Sequence, residues 1–417
     1  MRLIKKHISS LVALSWSLGY LSAQTQVRTL FKLPDTGLQT GYTTTAGEDN
    51  DFQINSPKYV NLGGNIILDS NTLLLWQQTD GGEMTFENAK KYCDTLTLGG
   101  YTDWRLPTAL ESYSIIYIQR TNPSINTTYF NNTGAEYWWT SEKQWNDSNK
   151  IWVTNAGGGI GNHSKSETIS AGGTKKFHVR AVRNTWSEII HQRFSIKGNV
   201  VLDSMTSLLW VQLPDTASKT WEEALNFAEN FTIDIYSDWR LPNIKELQTI
   251  NSLNYSSPSI DRTTFPGIST TQYWSSTTTP NQIDKAWYLD TKFGITTYAI
   301  KTNKKRVWLV SQFTPQASTR TALLANSLQI FPNPSAGRIW IKSSGTHEQI
   351  PIQSNETQGE LLIYQINGKM VYKSLVNTNE IINLEFLETG SYWLEFKNTE
   401  GTILTHNWVI FNRSGLN

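Results

Sequence analysis

The chain contains an internal repeat, and this repeat constrains its architecture more than any other feature. Residues 64–76 (GNIILDSNTLLLW) recur as residues 198–210 (GNVVLDSMTSLLW), with nine of thirteen positions identical. Further matches follow at a spacing of 135 residues, as between Tyr101 and Tyr236. A period this long, with unrelated loops between the matches, indicates two copies of one domain rather than a solenoid of units of about 20–50 residues.

Each copy predicts the same α+β order of elements. In the first copy, an apolar strand at residues 66–68 leads through an Asp-Ser turn to Leu-Leu-Trp, which predicts a hairpin. One helix is expected after Thr85, and a second after Thr108, which is followed by Glu111 in a capping-box pattern. Short strands rich in Trp and Tyr complete the copy. We therefore expect two helices against an irregular antiparallel sheet.

The N-terminus has the pattern of a secretory signal peptide, assigned to residues 1–23. Basic residues, Arg2, Lys5 and Lys6, precede an apolar stretch at residues 8–21 and a small-residue exit. This stretch is interrupted by Ser and is too short for a membrane span, and no other span of about 20 apolar residues follows. We expect an exported protein without a transmembrane span.

The composition excludes several classes of function. The formal charge is only +1, from 36 Lys+Arg against 35 Asp+Glu, so a nucleic-acid partner is not expected. The single cysteine, Cys93, excludes an intrachain disulfide and a zinc site made of cysteines, and its place in an apolar helical stripe predicts a small buried side chain. No Gly-x-Ser-x-Gly or His-x-x-x-His pattern is present, so no enzyme is expected.

The two copies share motifs with a known family. Leu-Leu-Trp, Asp-Trp-Arg-Leu-Pro, Tyr-Trp-Ser-Ser and the closing Val-Arg-Ala-Val-Arg at residues 179–183 resemble the Lcl C-terminal domain family, which is grouped with C-type-lectin-like folds. The resemblance implies two C-type-lectin-like domains in tandem, at residues 27–184 and 193–312. The second copy departs from the pattern at residues 307–311, where VWLVS replaces the arginine-containing strand.

A third region follows a polar linker at residues 313–327. Its motifs at residues 328–412, among them LQIFPNP and LETGSY, resemble the C-terminal sorting domain of the type IX secretion pathway. Alternating apolar strands, with Asn367-Gly368 as a hairpin turn, independently predict a small all-β sandwich. The resemblance implies the type IX machinery as a partner and a secreted or outer cell-surface location.

The Asp-Trp-Arg-Leu-Pro motif supplies six candidate residues. An arginine can pair with a carboxylate through two parallel hydrogen bonds, so an Asp-Arg pair could hold a ligand. The motif lies between two helices, however, and a structural clamp is the preferred interpretation. The residues concerned are Asp103, Trp104, Arg105, Asp238, Trp239 and Arg240.

Tryptophans are the main candidates for ligand binding, because sugar rings pack on indole faces. Eight of the 17 Trp form four repeat pairs (76/210, 104/239, 139/274 and 152/287), and these are expected in the core. Trp138 and Trp145, in a loop that differs between the copies, are the surface candidates. The segment Trp145-Asn146-Asp147 matches half of a calcium-dependent lectin site, but the partner tripeptide is absent and coincidence is the preferred interpretation.

Glu48, Asp49 and Asp51 could supply oxygen ligands to a hard cation such as Ca²⁺. No other cofactor is expected. The hypothesis from the sequence is a secreted or cell-surface, non-catalytic binding protein, adhesin-like or lectin-like, that recognises extracellular polysaccharide or host glycan. The alternatives are a protein-binding or structural surface module and, third, a polysaccharide-cleaving enzyme.

Overall fold

The computed structural model describes most of the chain. The described residues are 26–131, 133–134, 136–168, 176–185, 187–190, 192–252, 254–312, 328–331, 338–343, 358–365, 369–378, 380–388, 390–398 and 403–411. The signal peptide and the linker predicted at residues 313–327 lie outside them. Within the described residues the fold is strand-rich α+β, as expected for the two copies.

The first repeat contains two antiparallel sheets. Four strands form the first sheet, in the order Tyr59–Gly63, Ile66–Asp69, Leu74–Gln77 and Val182–Asn184. Three form the second, in the order Tyr137–Gln144, Asp147–Asn155 and Ile160–Ser164. A separate strand pair, Gln26–Arg28 with Glu188–Ile190, closes the repeat. The predicted hairpin is confirmed, and both of its strands are buried throughout.

The second repeat reproduces the first sheet and enlarges the other. The first is ordered Phe194–Lys197, Val200–Asp203, Leu208–Val211 and Val310–Gln312. The other is ordered Asp215–Lys219, Lys305–Val307, Gln272–Thr279, Gln282–Asp290 and Ile295–Ile300.

Four helices begin where their capping residues predict. They are α1 (Phe86–Thr95), α2 (Ala109–Ser114), α3 (Trp221–Glu229) and α4 (Ile244–Thr249). Full capping boxes open α2, α3 and α4, because each cap side chain accepts the N3 backbone N–H while the N3 glutamate accepts the cap N–H. The longest of the described helices, α1, has ten residues, and none is long and apolar enough to cross a membrane.

The repeat-paired tryptophans are all buried, which confirms their assignment to the core. Cys93 is buried as predicted, and burial raises the pKa of its thiol to about 12. The cores differ at one position, two residues before the last strand of the first sheet in each repeat. Arg180 of the first repeat lies over the Phe130 ring at 5.1 Å, whereas Trp308 of the second makes an edge contact with Phe265 at 4.9 Å. A cation–π contact in one copy is replaced by an aromatic pair in the other.

The two repeats pack against each other through repeat-equivalent residues. Trp152 and Trp287 belong to one apolar cluster between them, as do Ala109 and Ile244 at the starts of α2 and α4. Buried Lys245 crosses this interface, since its ammonium donates to the carbonyls of Asp35 (2.9 Å) and Ser114 (2.7 Å). The copies therefore form one continuous packed unit.

The third region is a β-sandwich, as predicted. One sheet contains Leu328–Phe331, Arg338–Ser343 and Ile382–Asn383, and the other contains Met370–Asn377, Gln358–Gln365, Gly390–Asn398 and Ile403–Phe411. Side chains from both sheets, such as Ile341 and Leu361, share one apolar core. The predicted turn at Asn367-Gly368 lies outside the described residues, although the strands on either side of it pair as expected.

Candidate functional site

The arginine of the Asp-Trp-Arg-Leu-Pro motif holds the start of the next helix. Arg105 donates two hydrogen bonds of 2.7 Å to the two carboxylate oxygens of Glu111, the N3 residue of α2. In the second repeat Arg240 makes the same pair of bonds with Glu246, at 2.7 and 2.6 Å. The geometry supports the interpretation of this motif as a structural clamp.

The pairing within the motif differs from the sequence hypothesis. Asp103 does not pair with Arg105 but with Arg183, through bonds of 2.7 and 3.0 Å, and this contact lowers the pKa of Asp103. Asp238 has no such arginine partner among the described residues, because Ser311 replaces Arg183 in the second repeat, and the Ser237 hydroxyl donates to it at 3.4 Å. The two indoles of the motif, Trp104 and Trp239, are buried and donate to backbone carbonyls.

A cleft of about 720 Å³ opens beside this clamp in the first repeat. We call it the first cleft. Its walls come from α1, from the clamp, from the strand Tyr137–Gln144 and from the N-terminal residues 27–30. The lining side chains used below are Phe86, Lys90, Asp94, Arg105, Glu142 and Lys143. The guanidinium-bearing side chain of Arg105 is 35% exposed here, so one part of the clamp remains accessible.

Glu142, which lines the first cleft, has a pKa well above its ordinary value. Its carboxylate accepts a hydrogen bond of 2.6 Å from the backbone N–H of Ala109, the first residue of α2. Burial and, to a smaller extent, the neighbouring Glu111 carboxylate raise the pKa of Glu142, while Ala109 and Arg105 lower it, and the net result is a pKa of about 7. Near neutral pH this side chain can therefore accept or donate a hydrogen bond.

The equivalent region of the second repeat, which we call the second cleft, is filled by the chain itself. Its occupant is the acidic segment, residues 42–52. Thr277, the counterpart of Glu142, accepts the N–H of Ile244 at 3.0 Å and donates to Asp49 at 2.7 Å. Next to it, Thr278 donates to Glu48.

The clamp of the second cleft is covered as well. The ring of Phe52 lies 5.0 Å from the guanidinium of Arg240, whose side chain is only 6% exposed. The contrast with Arg105 shows that the two clefts differ mainly in what covers them.

The calcium candidates are not brought together. Glu48 faces Thr278 and the N–H of Tyr42, Asp49 faces Thr36 and Thr277, and Asp51 accepts the N–H of Gly47. Nowhere in the described part of the chain do three or more His, Cys, Asp or Glu side chains form a group that could hold a metal ion. The geometry thus offers no ligand set for the calcium prediction.

The surface assignment of Trp138 is wrong. It lies within the strand Tyr137–Gln144, is 5% exposed, and donates its indole N–H to Asp80 at 3.0 Å. His178 also contacts Asp80, at 3.2 Å. The counterpart of Trp138 is Tyr273, which is also buried, so the comparison of the repeats held the signal that this position is core.

Trp145 is on the surface, as predicted. It occupies the two-residue turn between Tyr137–Gln144 and Asp147–Asn155, and it is 62% exposed. It does not line the first cleft. The strand before this turn contributes Lys143 to the lining of that cleft.

The sequence hypothesis missed Glu142, Lys143 and Lys90. A signal was present, because the repeats replace Glu142-Lys143 by Thr277-Thr278 directly after Ser141 and its identical counterpart Ser276. Such a change of chemistry between copies marks a position whose role differs between them.

Comparison with known proteins agrees with this architecture. The Lcl C-terminal domain family matches residues 65–183 and again residues 199–311, and the secretion system C-terminal sorting domain matches residues 329–410. None of the curated proteins compared with the chain matches it. The sorting domain marks proteins that the type IX machinery secretes and that are attached to the cell surface, so this protein is secreted to the outer surface. Because the two Lcl matches together cover more than half of its length, the chain belongs to the Lcl C-terminal domain family.

Proposed function

We propose that the protein is a non-catalytic, surface-displayed binding protein whose first cleft binds a segment of extracellular polysaccharide or host glycan. The observation that carries the proposal is the asymmetry of two equivalent clefts, of which the second is filled by the chain and the first is open. Binding sites of this size place a few polar groups on an apolar wall. Here Phe86 forms part of the wall, and Glu142 and Lys143 supply polar groups.

The polar groups suit a ligand rich in hydroxyl groups. The Glu142 carboxylate has one oxygen held by the Ala109 N–H, and its other oxygen has no hydrogen-bond partner among the described residues. A sugar hydroxyl can donate to this oxygen, while Lys90 and Lys143 can donate to ring or hydroxyl oxygens. The proposed C-type-lectin-like fold of each repeat supports the same ligand class by analogy only, because fold does not determine function.

Binding without catalysis is the preferred proposal, although Glu142 has the raised pKa typical of a general acid. Glycoside hydrolysis ordinarily uses two carboxyl groups on either side of the bond that is cleaved. The other carboxylate that lines the first cleft, Asp94, lies on the exposed face of α1. A protein-binding or structural surface module is the alternative if no polysaccharide retains the protein.

The test is retention of the purified chain on a panel of immobilised polysaccharides, with and without a chelator. We expect retention on at least one polysaccharide, and weaker retention for Glu142→Gln. Retention on none of them would contradict the proposal, and release of new reducing ends would show an enzyme instead.

A further inference from the structure

The acidic segment is held in the second cleft by contacts of the kind that a ligand makes. Two carboxylates, those of Glu48 and Asp49, accept hydrogen bonds from the hydroxyls of Thr278 and Thr277. At one end, Phe52 covers the clamp arginine. At the other, the hydroxyl of Thr43 donates to Glu222 on α3 at 2.9 Å.

The acidic segment lies outside the sheets of both repeats, although Glu48 and Asp49 are buried. Its regular structure is a single turn, Asp49–Asp51, and it takes part in none of the strand pairings of the described residues. Its flanks, residues 39–41 and 53–54, are exposed to solvent. The segment is therefore a short stretch of chain with a solvent-accessible connection at each end.

One contact of the segment is incomplete. The Oδ1 oxygen of Asp49 is buried without a hydrogen-bond partner among the described residues, although its Oδ2 accepts from Thr36 at 2.6 Å and from Thr277. Burying an unpaired polar atom is unfavourable, so this contact stabilises the segment less than a fully paired one would.

From these observations we infer that the second cleft is itself a binding site for carboxylate-bearing peptide segments, and that the acidic segment is its intramolecular ligand. The receptor groups are the hydroxyls of Thr277 and Thr278 and the face of Arg240. The inference does not depend on glycan binding by the first cleft, because it concerns a different cleft and a peptide.

The experiment separates the segment from the chain. Protease recognition sequences are inserted into the full-length chain between Gln39 and Thr40 and between Gln53 and Ile54, where both flanks are exposed. After cleavage, we expect the peptide of residues 40–53 to leave on dilution while the rest of the chain keeps its near-ultraviolet circular dichroism. A fluorescent synthetic peptide of the same sequence should then bind the emptied protein saturably, measured by anisotropy.

Two matched controls identify the contacts. A peptide carrying Glu48→Gln should bind about tenfold more weakly or worse, because the charge-assisted hydrogen bond from Thr278 is lost. The emptied protein carrying Thr277→Val and Thr278→Val should show a similar loss with the natural peptide. Equal binding in either control would overturn the inference, as would unfolding of the cleaved protein when the peptide leaves.

Hydrogen exchange on the uncut protein provides a second measurement, which needs no insertion. If the acidic segment is a ligand, its amides exchange by local opening, much faster than those of the strand Gln272–Thr279 beneath it. Exchange of both regions at one common rate would make the segment part of the framework and would overturn the inference.

Discussion

Glu142 and Thr277 accept the same hydrogen bond in the two repeats. Each receives the N–H of the first residue of the following helix, Ala109 at 2.6 Å and Ile244 at 3.0 Å. Thr277 donates a hydrogen bond from its own hydroxyl to Asp49, whereas Glu142 faces an open cleft. One position thus distinguishes the filled copy from the open one.

The pKa of Glu142 makes ligand retention depend on pH. Since burial raises this pKa to about 7, the carboxylate is mostly protonated below that pH and mostly ionised above it. An ionised oxygen is the stronger acceptor for sugar hydroxyls, so retention should increase as the pH rises through about 7. In Glu142→Gln the increase should be absent. Affinity electrophoresis across this range checks it, and a wild-type retention that falls or stays flat would contradict the role given to Glu142.

Asp49 should make the folded state less stable as the pH rises. Burial and, to a smaller extent, Glu246 and Asp35 raise its pKa against the hydrogen bonds from Thr36 and Thr277, and the net result is a pKa of about 7. Between the ordinary pKa of 3.8 and about 7, the folded state binds more protons than the unfolded state, so the free energy of unfolding falls across this window.

Replacing Asp49 by Asn should remove a pH-dependent loss on the order of 2–4 kcal/mol. Urea unfolding at about pH 5 and about pH 8 measures the difference. Asp51→Asn, in the same helical turn but exposed, is the control and should keep the wild-type profile. An unchanged pH profile in Asp49→Asn would show that Asp49 is not the group responsible.

The two clamp arginines should differ in their contribution to stability. Removing Arg240 by substitution with Ala leaves buried Glu246 without its partner, and we expect a loss of about 3–5 kcal/mol. Arg105→Ala should cost less, about 1–3 kcal/mol, because the Arg105 side chain is 35% exposed and the Thr29 hydroxyl still donates to Glu111. Chemical unfolding followed by fluorescence compares the two, and equal losses would mean that the exposure of the clamp arginine does not set its contribution to stability.

Trp138 and Trp145, the two tryptophan candidates from the sequence, should differ in their effect on stability. Trp138→Ala removes a buried indole and should cost about 3–5 kcal/mol. Trp145→Ala should change the free energy of unfolding by no more than about 0.5 kcal/mol. Because Trp145 does not line the first cleft, its removal should also leave polysaccharide retention unchanged. Weaker retention would place the sugar-binding surface at the turn that carries Trp145 instead of in the first cleft.

Local signals in the sequence predicted the framework well. Thr108 with Glu111 and Asn243 with Glu246 predicted the start of α2 and of α4, because a capping box is encoded within four residues. The repeat likewise predicted which tryptophans form the core, with Trp138 the error. That error arose because only identical residues were counted as repeat pairs. Trp138 and its counterpart Tyr273 are not identical, but both are aromatic and both are buried.

The clefts could not be predicted, because they depend on contacts between distant residues. Asp49 meets Thr277 across more than 200 positions of sequence, and nothing local in either segment indicates this contact. The acidic residues at 48–51 therefore suggested a cation site, whereas in the fold Glu48 and Asp49 bind hydroxyl groups of the second repeat.

The most direct test of the open first cleft uses two adjacent lysines of α1. Both Lys90 and Lys91 are exposed, but only Lys90 lines the cleft. Full-length Lys90→Ala and Lys91→Ala have the same charge and should have nearly the same stability, so affinity electrophoresis on a polysaccharide that retains the wild type compares position alone. The account predicts retention several-fold weaker for Lys90→Ala and unchanged for Lys91→Ala. Equal retention of the two variants would contradict it.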